Sequence, residues 1–522
     1  MTNQNLSKIL HVACLGIPVL ALVWLAGAWP ARLGFFSDDW MVLLHPNVGS
    51  ITAFADIFTL VSTRPTSAPF IWLAQLLADW SPVRAQILNV VMLGITGLAV
   101  GRLTQATLAS SRVSHASAMI GLSVSATSFI LFPASVGIFA WSTGMLVAIP
   151  AVPLFCFGMV LLLSANLTRS RMLGGAALLT LSHLAYEALY FQEFAILAIA
   201  YALGRKDIGR KLWILLATIF LINVGCIAYN RLAPGIIHKS FYADWWNLFF
   251  GGHLRLAEIY RNATRENASW LGVSLATLLA SSLLFARTTI GIVRIMTFYV
   301  VVSGAIAAAG ILYAFAGYGL AAEGPMARTS LVLTIYAGIG MGILSALAWQ
   351  ALAVRPVSAI AGIASIAAII IGIGISSSHR IDEWARAWQF EMTRLSQIPE
   401  EIVSLQGNDR AFIAISDTKW QFVAPASAPW EISGAAAWAL YNRTGDRKAM
   451  ADVWNMRSPS FRWYAAFPGW FSRWNGSRFE QGPCGSDAAV YGRSASQTLL
   501  WKPGNPKLED AGASWESNCK ID

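Results

Sequence analysis

Residues 295–315 have the sequence IMTFYVVVSGAIAAAGILYAF, and residues 358–376 have the sequence SAIAGIASIAAIIIGIGIS; neither stretch contains a charged side chain. A helix rises about 1.5 Å per residue, so each stretch is long enough to cross the roughly 30 Å hydrocarbon layer of a membrane. Water is absent from that layer and cannot pair backbone polar groups, which makes an α-helix the expected conformation. These two stretches therefore predict membrane-spanning helices.

Similar apolar blocks recur along the first 376 of the 522 residues. The chain is 56% hydrophobic and 12% charged, and this charged fraction is about half that of an ordinary soluble protein. The first block, Ile9–Pro30, is too long to be a removed signal peptide, and it lacks the small-residue pattern of a cleavage site. We expect an α-helical polytopic membrane protein with about eleven transmembrane helices, near Ile9–Pro30, 84–106, 116–133, 144–164, 173–187, 189–203, 212–230, 271–286, 295–315, 329–353 and 358–376.

The formal charge of +10 comes from the membrane part of the chain. Residues 1–379 carry 21 Lys/Arg and 11 Asp/Glu, whereas residues 380–522 carry 16 of each. If the N-terminus is cytoplasmic, the segments on that side hold 12 basic residues and one acid, Asp207. This asymmetry follows the positive-inside rule, so it predicts orientation and excludes a nucleic-acid-binding surface. An odd number of spans then places the C-terminus outside.

Three exterior segments are long enough to carry a function, namely 31–83, 231–270 and 377–522. The spacing of Ile51, Phe54, Ala55 and Phe58 predicts a helix on the membrane surface. In the last segment, strand-like runs such as Ala411–Ser416 and Trp420–Val423 follow a predicted helix. We therefore expect a transmembrane domain over 1–376 and a small C-terminal α+β extracytoplasmic domain over 377–522.

Cysteine and tryptophan usage supports two further predictions about this C-terminal part. Cys484 and Cys519 lie in it, and an oxidising compartment would allow them to form a disulfide. It also holds 11 of the 22 tryptophans. Indole rings stack on sugars, but a tryptophan-rich core or membrane interface is the favoured interpretation.

Two adjacent acids, Asp38 and Asp39, follow the first span at the water interface. Such a pair can remove a proton from a hydroxyl acceptor, or hold a divalent cation such as Mg²⁺, Mn²⁺ or Ca²⁺. The alternative is a solvated helix cap, with the carboxylates favouring the helix dipole.

Other polar residues at the same membrane face are candidates for substrate binding. Arg64 follows the surface helix, and Arg328 precedes a late span. A guanidinium group at the membrane interface is well suited to bind a lipid phosphate. The alternative for Arg328 is that its long side chain only reaches towards the interface. Glu187 and Glu193 lie in or beside the two short expected spans, 173–187 and 189–203, which form a short helical pair. They could bind substrate, relay protons or simply mark the outer tip of this pair. His45 and His253 lie in exterior loops and could contact a phosphate, although a surface role is the simpler one.

The combination resembles the GT-C superfamily of polytopic membrane glycosyltransferases, which use polyprenyl-phosphate-linked sugars. The matching residues are Phe36-Ser37-Asp38-Asp39-Trp40 in the first exterior loop, Arg64-Pro65, Tyr186-Glu187 in the short pair, and Arg328 before a late span. The resemblance covers the architecture of most of residues 1–400. It implies location in a bacterial inner membrane, with the chemistry on the outer face.

The resemblance also implies roles for these residues. A catalytic base among Asp38 and Asp39, with Asp39 slightly favoured because Trp40 follows it, would activate an acceptor hydroxyl for inverting transfer of the sugar. Arg328 and Arg64 would bind the donor phosphate, and Tyr186 and Glu187 would contact substrate. The acceptor would be a cell-envelope glycan, a lipid or a protein. Some members of the superfamily use a divalent cation and others do not.

Three other functional classes are weighed against this one. A transporter or flippase of a lipid-linked glycan predicts charges deep in several spans and often an inverted repeat; most spans here lack charge and no repeat is visible. A non-catalytic envelope assembly protein predicts that Asp38 and Asp39 tolerate Asn. A polymerase or ligase on an unrelated fold would place its key basic residues in one large late loop.

Overall fold

The computed structural model describes most of the chain up to residue 396 and part of the remainder. The described residues are 3–36, 39–45, 47–109, 113–232, 244, 246–247, 249–251, 292–315, 325–351, 356–396, 410–415, 429–445, 462–467, 470–474, 479–483, 497–501 and 509–510. The helices are α1 (Asn3–Ala28), α2 (Asp39–Val42), α3 (Ile51–Leu60), α4 (Ser67–Ala78), α5 (Pro82–Leu108), α6 (His115–Leu131), α7 (Pro133–Ala140), α8 (Ser142–Leu162), α9 (Arg169–His183), α10 (Gln192–Ala202), α11 (Lys206–Leu232), α12 (Ile292–Phe315), α13 (Leu331–Gln350), α14 (Pro356–Leu395) and α15 (Pro429–Thr444), with 3₁₀ turns at Glu187–Leu189 and Pro325–Ser330.

Capping residues set where several of these helices begin. The side chains of Ser81, Ser114 and Thr168 accept backbone N–H groups in the first turns of α5, α6 and α9. Such bonds satisfy donors that have no partner within the helix. The helix predicted from Ile51, Phe54, Ala55 and Phe58 is confirmed as α3, which Ser50 caps in the same way; its position on the membrane surface stays a prediction.

The prediction of a multi-pass helical membrane protein is confirmed in outline. Among the described residues, Pro82–Leu108, Lys211–Asn230, Arg328–Gln350 and Ile360–Thr393 are long and apolar enough to span a membrane. Helices α6 and α7 add a fifth candidate if they form one span bent by 59°. Pro133 explains this bend, because proline forces the preceding residue out of helical geometry and Phe132 is extended. The total of eleven stays a prediction, and the expected span 271–286 lies outside the described residues.

One predicted boundary differs from the structure. The last expected span and the first tail helix are a single helix, α14, which is 40 residues long. No Pro or Gly occurs between residues 375 and 395 to interrupt it. The predicted domain boundary at 376–377 therefore falls inside a helix, and Trp384 and Trp388 lie on the continuation of a span.

Small residues and buried cations hold the helices together. A Cβ atom on Gly342 of α13 would meet the carbonyl oxygen of Gly121 on α6, so both backbones need glycine to approach this closely. Arg205 is only 2% exposed and donates to the carbonyl oxygens of Ala106 and Leu163, near the ends of α5 and α8. Its charge there favours the negative ends of two helix dipoles.

The C-terminal part contains a mixed six-stranded sheet. Its strands are β1 (Arg410–Ile415), β2 (Arg462–Phe467), β3 (Trp470–Trp474), β4 (Phe479–Pro483), β5 (Gln497–Trp501) and β6 (Glu509–Asp510), in the order β4-β3-β2-β1-β5-β6. Strand β1 pairs in parallel with β2 and β5, and the other pairs are antiparallel. The predicted strand at 411–416 is confirmed, whereas 420–423 and both Cys484 and Cys519 lie outside the described residues. The disulfide and the extracytoplasmic location stay predictions.

Candidate functional site

Asp39 is fully buried at the first position of α2. Its Oδ2 atom accepts the backbone N–H groups of Phe36, at 3.1 Å, and Ser142, at 3.2 Å. Ser142 begins α8, so the carboxylate lies at the positive end of that helix dipole. Asp39 thus fastens the connection after α1 to the start of α8. Its neighbour Asp38 lies outside the described residues.

Tryptophans from the C-terminal part surround this loop. Trp40 stacks on Trp388 of α14, with ring centroids 5.9 Å apart, and meets the edge of Trp438 of α15 at 5.9 Å. Trp384 lies edge-on to Phe36 at 4.5 Å. For these tryptophans the favoured packing role is confirmed, because their rings form the core beside Asp39.

Arg64 and Glu187 form a two-fold hydrogen-bonded ion pair. Nε of Arg64 donates to Oε2 of Glu187 at 2.8 Å, and an η nitrogen donates to Oε1 at 2.5 Å. The guanidinium also lies over the ring of Tyr186, 5.2 Å from its centroid. Burial opposes the charge on Arg64, but the nearby Glu187 carboxylate outweighs it and raises the arginine pKa. This pair joins the turn before α4 to the connection between α9 and α10.

Two tyrosines connect this pair to Arg328. The Tyr313 hydroxyl donates to the carbonyl oxygen of Arg328 at 3.0 Å and lies 2.9 Å from the Tyr186 hydroxyl. A hydroxyl has one proton, so Tyr186 must be the donor to Tyr313. Burial raises the pKa of Tyr186 and keeps its phenol neutral. Arg328 lies over the ring of Trp141, 4.9 Å from its centroid.

The predicted residues therefore lie along one series of contacts. Trp141 immediately precedes Ser142, whose N–H is bound by Asp39, so Asp39 and Arg328 meet the same turn at the start of α8. The series continues from Arg328 through Tyr313 and Tyr186 to Arg64 and Glu187. Asp39, Arg64, Glu187 and Arg328 were predicted from charge and position, and Tyr186 was predicted from the resemblance. Trp141, Ser142 and Tyr313 were missed because they belong to apolar runs without a distinguishing motif.

Glu193 lies apart from this series. Its carboxylate is 2.5 Å from Nε2 of His183, and both side chains are 0% exposed. Nδ2 of Asn223 lies 3.4 and 3.5 Å from the two carboxylate oxygens. Glu193 is therefore a partner of His183 across the base of the α9–α10 connection, not a residue of its outer tip.

His45 has partners on both ring nitrogens. Its Nδ1 accepts the backbone N–H of Asn47, and its Nε2 lies 3.2 Å from the Asp56 carboxylate. These bonds give it a structural role, which weakens its prediction as a phosphate contact. His253 lies outside the described residues.

The described part of the chain contains no cluster of side chains suited to bind a divalent cation. No group of three or more His, Cys, Asp and Glu side chains within those residues could hold a metal ion. A site that includes Asp38 stays a prediction. The described cysteines Cys14, Cys156 and Cys226 are free and buried, which suits the packing role expected of them.

Chemically, the series combines a buried carboxylate, two guanidinium groups against aromatic faces, and neutral phenols. Guanidinium groups donate paired hydrogen bonds to phosphate oxygens, and their attachment to ring faces limits their motion. Asp39 begins α2, Arg64 lies in the turn before α4, and Arg328 lies in the 3₁₀ turn Pro325–Ser330, so these charged groups come from three separate elements.

The comparisons with known proteins are sparse. The sequence matches no protein-family model and no curated protein. Among solved structures, the crystal structure of ArnT from Cupriavidus metallidurans bound to undecaprenyl phosphate is similar with a TM-score of 0.40 and 10% sequence identity, over 90% of this chain and 94% of that chain. A similarity at this level establishes neither a shared fold nor a shared activity.

Proposed function

We propose that this chain is an inverting membrane glycosyltransferase that moves a sugar from a polyprenyl-phosphate donor to a cell-envelope glycan, lipid or protein acceptor on the outer face. The observation that supports it is the single series of contacts from Asp39 through Arg328 to Arg64 and Glu187. A lipid donor keeps its phosphate at the membrane interface, so its binding groups and the base must also meet there.

In the proposed reaction, a carboxylate of the Asp38–Asp39 pair removes the proton of the acceptor hydroxyl. The hydroxyl oxygen then attacks the anomeric carbon with inversion, and the bond to the lipid phosphate breaks. Arg328 stabilises the charge that builds on the departing phosphate, and Arg64 assists it. Burial of Asp39 and its two backbone bonds favour a positioning role for this residue, with Asp38 as the base.

The test is transfer from a purified lipid-phosphate sugar by the protein in liposomes. We expect Asp38→Asn and Asp39→Asn each to lower transfer at least about 100-fold, as for loss of a general base or its positioning. Arg328→Ala should raise the KM for the donor more than the KM for the acceptor.

Matched controls come from one exposed ion pair, Arg32–Asp382, at 2.6 Å. Asp382→Asn and Arg32→Ala remove the same charges away from the series and should leave transfer within about twofold, as for exposed surface charges. Wild-type rates in the double Asp38→Asn, Asp39→Asn variant would exclude the mechanism and favour a non-catalytic assembly role.

A second candidate function is transport of a lipid-linked glycan. The buried His183–Glu193 pair favours it, because ionisable groups at membrane depth often belong to substrate or proton pathways. The same liposomes separate the two functions. Movement of a labelled lipid-linked glycan between leaflets, without transfer of its sugar, would support transport.

A further inference from the structure

The C-terminal helix α15 packs directly on the loop that carries Asp39. Gly434 lies so close to Trp40 that a Cβ atom there would overlap the carbonyl oxygen of Trp40. Trp438, one turn later on the same helix, lies edge-on to Phe35 and Trp40, with centroids 6.3 and 5.9 Å away. These contacts place α15 against the residue next to Asp39.

The same helix also holds a strained turn between α4 and α5. Asp79 and Trp80 have φ angles of 44° and 62°, which residues with side chains seldom adopt. The Nε1–H of Trp438 donates to the carbonyl oxygen of Trp80 at 3.0 Å, and Tyr441 meets the Trp80 ring at 5.0 Å. Two consecutive strained residues persist only where surrounding contacts hold them, and α15 supplies two of those contacts.

Trp80 connects the turn held by α15 to the residues that follow α2. Its Nε1–H donates to the carbonyl oxygen of His45 at 3.2 Å, just after α2. Helix α14 completes the enclosure, because Trp388 stacks on Trp40 and fills the space that a side chain on Gly34 would need. Residues 34–36 and 39–45 are therefore held between the C-terminal helices and the helices of the first part of the chain.

We propose that α15 is a positioning element for Asp39 and the loop that carries it, so that the C-terminal part belongs to the reaction centre. The consequence for turnover rests on the proposed function, whereas the ordering of the loop does not. Arg64, Glu187 and Arg328 are held by other elements, so donor binding and loop order should separate when α15 is disturbed.

The first experiment measures donor binding and turnover on the full chain in detergent or liposomes. We expect Trp438→Ala and Gly434→Val to lower turnover about 10- to 100-fold, as for misplaced reacting groups, with the Kd for polyprenyl phosphate within about twofold of wild type. Trp438→Phe keeps an aromatic ring beside Trp40 but loses the hydrogen bond to Trp80, so its turnover should lie between those of wild type and Trp438→Ala. Trp213→Ala, on a side chain 81% exposed, is the control. Loss of donor binding in proportion to turnover would overturn the inference, because general unfolding would explain both.

The second experiment does not depend on activity. Leu43 is buried in the same loop, and the thiol introduced by Leu43→Cys should resist a water-soluble maleimide. Adding Gly434→Val should raise its labelling about tenfold, in line with local opening, while the native buried Cys156 stays protected; peptide mass spectrometry separates the two. If the introduced thiol stays protected, α15 does not order the loop. Increased labelling in a protein whose wild type transfers no sugar would reject the proposed function and keep the positioning inference.

Discussion

The Arg64–Glu187 pair gives the sharpest quantitative prediction, because a double-mutant cycle isolates its coupling energy. The perturbations are Arg64→Ala, Glu187→Ala and both together. Two parallel hydrogen bonds, with N···O distances of 2.8 and 2.5 Å, join the two side chains. This bidentate fork is the strongest geometry for an arginine and a carboxylate. The cycle compares the double variant with the sum of the single variants and so removes the other contacts of each side chain.

The magnitude follows from distance and exposure. Two unit charges about 4 Å apart attract by about 4 kcal/mol at an effective dielectric constant of about 20. The side chains are 26% and 42% exposed, so solvent screening removes much of this attraction, and fully exposed pairs contribute only about 0.2–1 kcal/mol. We expect a coupling energy of about 1.5 kcal/mol, between these limits.

The assay is reversible unfolding in mixed micelles, followed by tryptophan fluorescence. The control cycle uses Arg32 and Asp382, which share one bond of 2.6 Å and are 47% and 50% exposed; its coupling should be about 0.5 kcal/mol or less. Added salt should weaken the control more strongly than Arg64–Glu187, because exposed charges are screened more. If the Arg64–Glu187 and Arg32–Asp382 cycles gave equal coupling energies, the bidentate geometry of Arg64–Glu187 would add no stability.

Three further variants test other parts of the structure. Tyr313→Phe should destabilise the protein by about 2 kcal/mol and Tyr186→Phe by about 1 kcal/mol, because Tyr313 takes part in two hydrogen bonds of the series; equal losses in the unfolding assay would contradict this assignment. Glu193→Ala should cost about 3–5 kcal/mol by leaving buried His183 unpaired, and replacing both residues with Leu should recover most of that loss in a thermal unfolding measurement. Glu187→Gln should tighten polyprenyl phosphate binding about 3- to 10-fold in a fluorescence titration by releasing a guanidinium for phosphate, and an unchanged affinity would show that this arginine does not bind the donor.

Much of the helical architecture could be predicted, because length and hydropathy determine a span without reference to distant residues. Ser81-Pro82 at the start of α5 illustrates this, since a capping hydroxyl and a first-turn proline are local signals. The continuity of α14 was missed. A change from apolar to charged composition suggested a boundary, but such a change does not end a helix by itself, and residues 375–395 contain no Pro or Gly that would.

From the residues alone, the candidate site was predictable only for its charged members, and Tyr186 was predicted only from the resemblance. Asp39, Arg64 and Arg328 stand out because charge near a membrane is costly and therefore informative. Tyr313 belongs to the site because its hydroxyl is hydrogen-bonded to that of Tyr186, which is 127 residues away in the sequence. No local sequence pattern predicts such a contact. The partner of Glu193 was also missed, although His183 is ten residues away and a tight helical pair brings such positions together.

The 40 residues of α14 give a rod about 60 Å long, twice the thickness of the hydrocarbon layer. Its first half, residues 357–375, is apolar and long enough to cross the lipid, and in its second half the ring of Trp388 packs on Trp40. Because Trp388 lies on the same helix, we expect tilting of the apolar half in a thinner bilayer to change the packing of its ring on Trp40. Bilayer thickness would then affect the loop that carries Asp39 through one continuous helix.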